Sequence, residues 1–437
     1  MKKRLCMFIL SAFLFNLCEN TGFYKAWDTS ENILNMNSLY VAVSQEAEEY
    51  LSKDQNLGIK LVGNKSSYKE KLSFLGYDNM TTEAQRTFYQ KIKNGITKIT
   101  DKKNTDGFYD IEPIVLRGYK LESGEIKKVI YAFQNDNPEV FWLASRYYIT
   151  YRGTDTILKI SSVMKKGEYE ESLKKLNSQV DKILKSVPEG LSEYKRELFV
   201  HDYIIENCEY DKANYSQKPW EKYTCLGCLV SKRAVCEGYS KATQLLLMRL
   251  GVRCRTITGS RGQEHHMWNM VNIGGDWYHL DVTWDNKESL NRYSYFNVTD
   301  GVIRKDHKVN EEISKMTNLN FYEKNYNFSL PICNSNKYNY FMLNSLYVTS
   351  ATTNENIVTY MKKTAKKGGK IFYFMIDPKI NLNSVIKMFF QAPEYKFFNC
   401  IRKVNESLDS KTRFNTKNLR YGENKNQRVI SVEVEYV

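Results

Sequence analysis

Apolar positions in the first well-patterned part of the chain recur at helical spacing. Phe88, Tyr89, Ile92, Ile96 and Ile99 form one stripe, and Thr82 with Gln85 three residues on is the capping-box pattern that opens a helix. The run "NDNPEVFWL" breaks that period, and "RYYITYRGTDTILKISSVM" alternates about Gly153 as a β-hairpin does. A second helix is predicted over Glu168 to Lys185, with Leu173, Leu176, Val180, Ile183 and Leu184 on one face and a stop before Pro188. Residues 80–190 therefore predict a small α+β module.

From Ser192 the pattern predicts a helix through "SEYKRELFVHDYIIENCEYD", a loop, and an amphipathic helix over "AVCEGYSKATQLLLMRLG". A strand "VRCRTITGS" and a hairpin "HHMWNMVNIGGDWYHLDVTWD" follow, which closes a unit at 191–310. Beyond it, the short aromatic strands "KYNYFMLNSLYV", "KIFYFMID" and "RVISVEVEY" alternate with helices near Glu355 to Lys367 and Ser384 to Gln391. Residues 311–437 thus read as a C-terminal α/β or α+β module. Residues 27–79 are polar and read as a linker, with one helix around Ser44 to Leu51. No repeat of fixed period is present.

Composition adds to this picture at three points. The opening "MKKRLCMFILSAFLFNLCEN" joins a basic start to an apolar run too short to span a bilayer, so residues 1–26 predict a secretory signal peptide or, if uncleaved, an anchor, and a secreted or cell-surface protein. Net charge is +14, and residues 331–437 carry 17 Lys and Arg against 8 Asp and Glu. Anionic wall polymers or a membrane surface are the natural partners of such a basic tail, with a merely solvated basic face as the competing reading, and no nucleic-acid motif accompanies it. The leader holds Cys6 and Cys18 of the nine cysteines, leaving an odd seven and so at least one thiol without an intrachain disulfide. The pair in "TCLGC" (Cys225, Cys228) reads as structural or disulfide-forming, since no second pair completes a zinc site.

The hairpin allows its own geometry to be derived. With Gly274-Gly275 as a two-residue turn, residues whose numbers sum to 549 face each other, so Ile273 pairs with Asp276 and Trp268 with Asp281. Met267, Val271, Ile273, Tyr278, Leu280, Val282 and Trp284 then share an apolar core face. His266, Trp268, Met270, Trp277, His279, Asp281 and Thr283 share the other, which predicts a cleft wall. On that wall His266 and Asp281 are diagonal neighbours, about 6–8 Å apart at their side-chain bases and within reach of an imidazole–carboxylate hydrogen bond.

A carboxylate that fixes one ring nitrogen leaves the other free to move protons, which is the base of a nucleophilic site. Cys236 supplies the nucleophile: it heads a helix whose backbone N–H groups and dipole favour the thiolate. Its own N–H is a candidate oxyanion donor, and Gly238 is expected to let substrate approach closely. Trp268, Trp277 and His279 are candidate substrate contacts, with packing and a structural histidine as their competing roles. His265 and His266 point to opposite sides of a strand and cannot chelate together, so no metal or other cofactor is expected. His201-Asp202 lies among apolar neighbours and reads as structural.

The motifs "AVCEGYSKA", "HHMWNMVNIGGDWYHLDVTWD" and "YFNVTD...DH" strongly resemble the transglutaminase-like superfamily, especially its secreted bacterial members. "VHDYIIENCEYD" looks like the helix before that core, and "NDNPEVFW" like an upstream module of such proteins. The resemblance covers about residues 192–310. It implies a papain-like α+β fold and thioester chemistry, with Cys236 as nucleophile, His266 as base and Asp281 as orienting acid. One segment departs from the family: where relatives read approximately "YGAL", this chain has Leu226 and Cys228 in "LGCL", which leaves the second oxyanion donor open, with Trp220 and Tyr223 as substitutes. The expected function is an exported cysteine enzyme that transfers an acyl group from a protein or peptide substrate, to water as a protease or amidase or to an amine as a transglutaminase. The competing class is a non-catalytic surface-binding module.

Overall fold

The computed structural model of the protein describes residues 67–68, 75–212, 218–285, 289–309, 330–391, 393–408 and 413–437. The expected leader and the expected helix around Ser44 lie outside these residues. Among the described residues no helix is long and apolar enough to cross a membrane. The fold is α+β.

The N-terminal elements are α1 (Leu75–Asp78), α2 (Glu83–Gly95), β1 (Ile99–Lys103), β2 (Tyr109–Ile111), β3 (Ile114–Leu116), α3 (Ser123–Asp136), β4 (Leu143–Arg152), β5 (Asp155–Ser162) and α4 (Lys166–Ser186). Thr82 caps α2 by accepting the Gln85 N–H, but the Gln85 side chain bonds the Thr81 N–H, so only half of the expected capping box forms. The hairpin about Gly153 is present as β4 and β5, paired through Arg152 and Asp155. Strand β5 also pairs with β2 and β3, giving a five-stranded sheet. Helix α1 falls inside the stretch read as linker. Its Gly76 and Tyr77 N–H groups donate to the buried Asp136 carboxylate at 2.9 and 2.8 Å, which ties this short helix to the end of α3.

The central elements are α5 (Glu193–Asn207), β6 (Glu209–Tyr210), a 3-10 turn (Glu221–Tyr223), a π-helical turn (Gly227–Ser231), β7 (Arg233–Ala234), α6 (Cys236–Arg249), β8 (Arg253–Arg261), β9 (Glu264–Ile273), β10 (Asp276–Leu280), β11 (Phe296–Val298), α7 (Asp300–Ile303) and β12 (His307–Val309). Strands β11-β10-β9-β8-β12 form a sheet in that order, and β6 pairs with β7 in parallel. Helix α6 is not amphipathic as expected. It is buried from Gly238 through Met248, Lys241 excepted, because α5, β8, β9 and the π-helical turn pack around it.

The C-terminal elements are α8 (Tyr340–Asn344), β13 (Leu346–Val348), α9 (Asn354–Ala365), β14 (Ile371–Ile376), α10 (Leu382–Phe390), α11 (Lys396–Asn405), β15 (Phe414–Asn424) and β16 (Val429–Tyr436). They build a mixed sheet, β13-β14-β16-β15, over a core of Phe372, Phe374, Phe389 and Phe397. "KYNYFMLNSLYV", expected as one strand, begins with the α8 turn, because Asn339 accepts the Phe341 and Met342 N–H groups and caps it. One contiguous buried cluster runs from Met80 through Ile130, Leu176 and Leu246 to Phe296 and on to Phe341, Tyr373 and Val429, so all three expected modules contribute to one core.

Candidate active site

The β9–β10 hairpin has the expected register: Asp276 faces Ile273, Trp277 faces Asn272 and Leu280 faces Asn269. Pairing stops at Leu280, one residue before Asp281, and the chain turns. Asp281 Oδ1 accepts the N–H groups of Thr283 and Trp284 at 3.0 and 3.2 Å, so the carboxylate itself organises the turn. Trp284, expected on the core face as a continuation of the strand, is therefore carried out to the surface and is 40% exposed.

Asp281 Oδ2 lies 2.7 Å from His266 Nε2, and the Cys236 side chain hydrogen-bonds the same imidazole. Since Nε2 faces Asp281, Nδ1 is the nitrogen left for the thiol. Cys236, His266 and Asp281 are thus brought together from a helix N-terminus, a strand and a turn. Burial alone would lower the proton affinity of His266, but the charge and hydrogen bond of Asp281, with Cys236 beside it, raise its pKa to about 10. Burial would likewise raise that of Asp281, yet the His266 charge and the hydrogen bonds of two histidines hold it well below the usual carboxylate range. The resting charge distribution is an imidazolium between a carboxylate and a sulfur.

Two backbone–side-chain clasps fix the head of α6 at Cys236 against the strand. Ser240 Oγ lies 2.8 Å from the Cys236 carbonyl and 2.9 Å from that of Met267, and Asn269 Nδ2 donates to the Ser240 carbonyl at 3.0 Å. No side chain caps the first turn of α6, since Val235 stands at the cap position in extended conformation. The Cys236 N–H instead donates to the Tyr210 hydroxyl. Tyr210 reaches it because β6 pairs with β7 at Ala234, two residues before the cysteine, and it is 43% exposed. Burial holds the Tyr210 hydroxyl well above the ordinary phenol range, so it keeps its proton.

Tyr210 was not singled out from the sequence. Its only signal is its place in "CEYD" ahead of the loop, and the two-residue parallel pairing that delivers it has no sequence signature. Gly238 has a different reason from the one expected. A Cβ there would stand 2.5 Å from the Lys222 carbonyl and 2.9 Å from that of Thr224, so the glycine lets the 222–234 segment lie against the helix, not a substrate.

The expected cleft wall is corrected over most of its length. Trp268 and His279 are 0% and 1% exposed, and with Trp277 and Met270 they form a small second core against Val298, Ile303, Val309 and Cys333. Segments 298–309 and 330–333 cover this face, which the hairpin's alternation alone could not reveal. None of the three expected substrate contacts is open to substrate in this structure. Trp268 supports the His266 ring from behind: its own ring stacks on it at 5.7 Å and 14°, and its Nε1–H donates to His279 Nδ1 at 3.0 Å. His279 Nε2 in turn lies 2.9 Å from Asp300 Oδ1. Burial lowers the proton affinity of His279, which leaves Nδ1 free to accept. The aromatic group at the mouth is Trp284, edge-on to His266 at 6.4 Å with the Arg261 guanidinium 3.4 Å over its face.

Two groups bring possible ligand atoms within 4.8 Å of one another among the described residues: His266, Asp281 and His307, and His279, Asp300 and Cys333. Their imidazole–carboxylate spacings of 2.7–3.0 Å are those of hydrogen bonds that the rings and carboxylates already make. No disulfide joins the seven described cysteines; Cys225 and Cys228 are buried around the π-helical turn.

The sequence profile of the Transglutaminase-like superfamily matches residues 182–282, the part of the chain that holds Cys236, His266 and Asp281. Human kyphoscoliosis peptidase (Homo sapiens) is 27% identical over 94 residues, which are 19% of this chain and 14% of the human protein. The mouse protein of the same name (Mus musculus) is 26% identical over 121 residues, 25% of this chain and 18% of that one. The match thus spans less than a fifth of either peptidase. Among solved structures, a candidate cysteine protease from Cytophaga hutchinsonii aligns at 14% identity and a TM-score of 0.22, over 32% of this chain and 61% of that one.

Proposed function

We propose that the protein is a cysteine-dependent acyl-transfer enzyme that hydrolyses peptide or carboxamide bonds through a thioester. The observation that carries the reading is the His266 imidazole held between the Asp281 carboxylate, at 2.7 Å, and the Cys236 side chain at the head of α6. The Cys236 thiolate attacks the carbonyl carbon, and the π electrons move to oxygen. That oxyanion is met by the Cys236 N–H and by the Tyr210 O–H, which turns its proton from solvent toward the new charge. Collapse expels the amine, which takes its proton from His266, and leaves the thioester. His266, now neutral, removes a proton from water; the hydroxide adds to the thioester, and the thiolate leaves with release of the acid.

The peptidase name of the two mammalian relatives weighs toward water as the acceptor. The basic leader and its short apolar run support export, and the charge of residues 331–437 supports attraction to an anionic wall polymer or membrane surface.

The test is intact-mass analysis after mixing with a glutamine-containing peptide library, with and without a primary amine. A transient acyl adduct on Cys236 that decays to free acid, and is absent in Cys236→Ala, is the expected result. Decay only into an amine adduct would assign transamidation, and no adduct with any peptide would remove the catalytic reading.

A further inference from the structure

Asp281 has more partners than a three-residue site requires. Its Oδ2, 2.7 Å from His266 Nε2, also lies 3.0 Å from Nε2 of His307, a residue of the "DH" pair to which the sequence assigned no role. His307 Nδ1 is 2.7 Å from Asp306 Oδ1, and Asp306 Oδ2 accepts the Tyr295 hydroxyl at 2.5 Å and the Arg261 guanidinium at 3.4 Å. Both nitrogens of His307 thus face carboxylates, the arrangement of an imidazolium. The titratable and charged groups around it are Asp281, Asp306, Tyr295, His266, Arg261 through Asp306, and His279 beyond the Trp268 ring. Burial lowers its proton affinity, but the hydrogen bonds to Asp281 and Asp306 raise it above the ordinary histidine value.

The sheet is built for this approach. Gly259 on β8 faces His266 on β9 and Val309 on β12, so His307 and His266 stand on one face across a strand with no side chain at that point. A Cβ at 259 would run into the Lys308 carbonyl and come within 2.7 Å of the Trp268 ring. The two imidazole rings meet at 5.4 Å over the glycine.

We propose that His307 is a positioning residue for the acyl transfer at Cys236: its Nε2 holds the Asp281 carboxylate on His266 and shares that carboxylate with the His266 ring. This rests on the reading of the site given above. A general acid that must release its proton to an amine near neutrality works poorly when bound too tightly to a carboxylate, and sharing that carboxylate with a second cation loosens the grip.

The test measures iodoacetamide alkylation of Cys236 from pH 5 to 10.5 in the full chain and in H266A, H307A and H307Q, together with the pH at which the His266 ring loses its proton by NMR. Gln puts an N–H near the Nε2 position without the charge. H307A is expected to alkylate at least about tenfold slower than wild type at pH 6, and H307Q to recover to within about threefold. In H307Q the His266 midpoint should rise by about one unit, the scale of a like charge removed at this separation. Wild-type rates in H307A, or an unmoved midpoint in H307Q, would overturn the proposal; if H307A fails to fold, the H307Q midpoint decides alone. Slow alkylation in wild type, no faster than in H266A, would overturn the reading of the site and this proposal with it.

Discussion

At the scale of single residues, the proposed chemistry rests on three side chains whose mutual placement is legible in the sequence, and on one whose placement is not. Cys236, His266 and Asp281 were legible because a helix head and a hairpin with a two-residue turn fix where side chains stand. Tyr210 was not, because its contact with the Cys236 N–H depends on β6 finding β7 across a loop. In the proposed reaction its hydroxyl is needed only when charge develops on the substrate oxygen. Tyr210→Phe should therefore lower kcat by about 10²–10³-fold while the rate of Cys236 alkylation, which builds no oxyanion, stays within about twofold. Equal loss in both measurements would show that the ring only shapes the helix start. Trp268 and His279 were expected in contact with substrate on the same ground that set His266 beside Asp281: alternation says which residues share a face, and not what lies on top of it.

At the scale of elements, the hairpin register was readable to Leu280 and failed beyond it. The two-residue turn sets pairing by counting, but a strand ends where some group takes its backbone N–H groups, and here that group is the Asp281 carboxylate. The C-terminal strands β14 and β16 were equally legible from their apolar runs, whereas β15 is polar along much of its length and α11 gives no turn signal at its start. Within the central sheet the closest packing is at Gly259, under His266. Gly259→Ala should cost roughly 1–3 kcal/mol in denaturant unfolding and slow Cys236 alkylation, because β12 has to back away and take His307 with it. Unchanged stability would mean that the sheet accommodates a methyl group there and that the approach of β12 is loose.

At the scale of the whole molecule, the clearest property is the number of buried ionisable groups. Burial raises Glu197 to about 8 and both Asp136 and Asp285 to about 7. The unfolded chain ionises such groups near pH 4, so from about pH 4 to 8 unfolding releases protons and stability falls as pH rises. His266 at about 10 and the raised His307 extend that fall to higher pH, since the folded state keeps protons that the unfolded state gives up above about 6.5. On the acid side, burial opposes but partner histidines prevail at Asp281, Asp202, Asp300 and Asp306, whose lowered values make stability fall again below about pH 4. The thermal midpoint should accordingly peak near pH 4–5 and decline steadily to pH 9. A midpoint that rises between pH 5 and 8 would show these carboxyls to be ionised in the folded protein. None of this was legible in the sequence, where Glu197, Asp136 and Asp285 look like ordinary polar positions.

All of these scales meet in the proposal that the His266 imidazolium, held by Asp281, activates Cys236 for acyl transfer. The most direct measurement is iodoacetamide labelling at pH 6, with mass-spectrometric localisation, on the wild-type chain and on His266→Ala. Fast, stoichiometric modification confined to Cys236 is expected in the wild type, falling by at least about tenfold without the imidazole. Slow labelling that is the same in both proteins would contradict it.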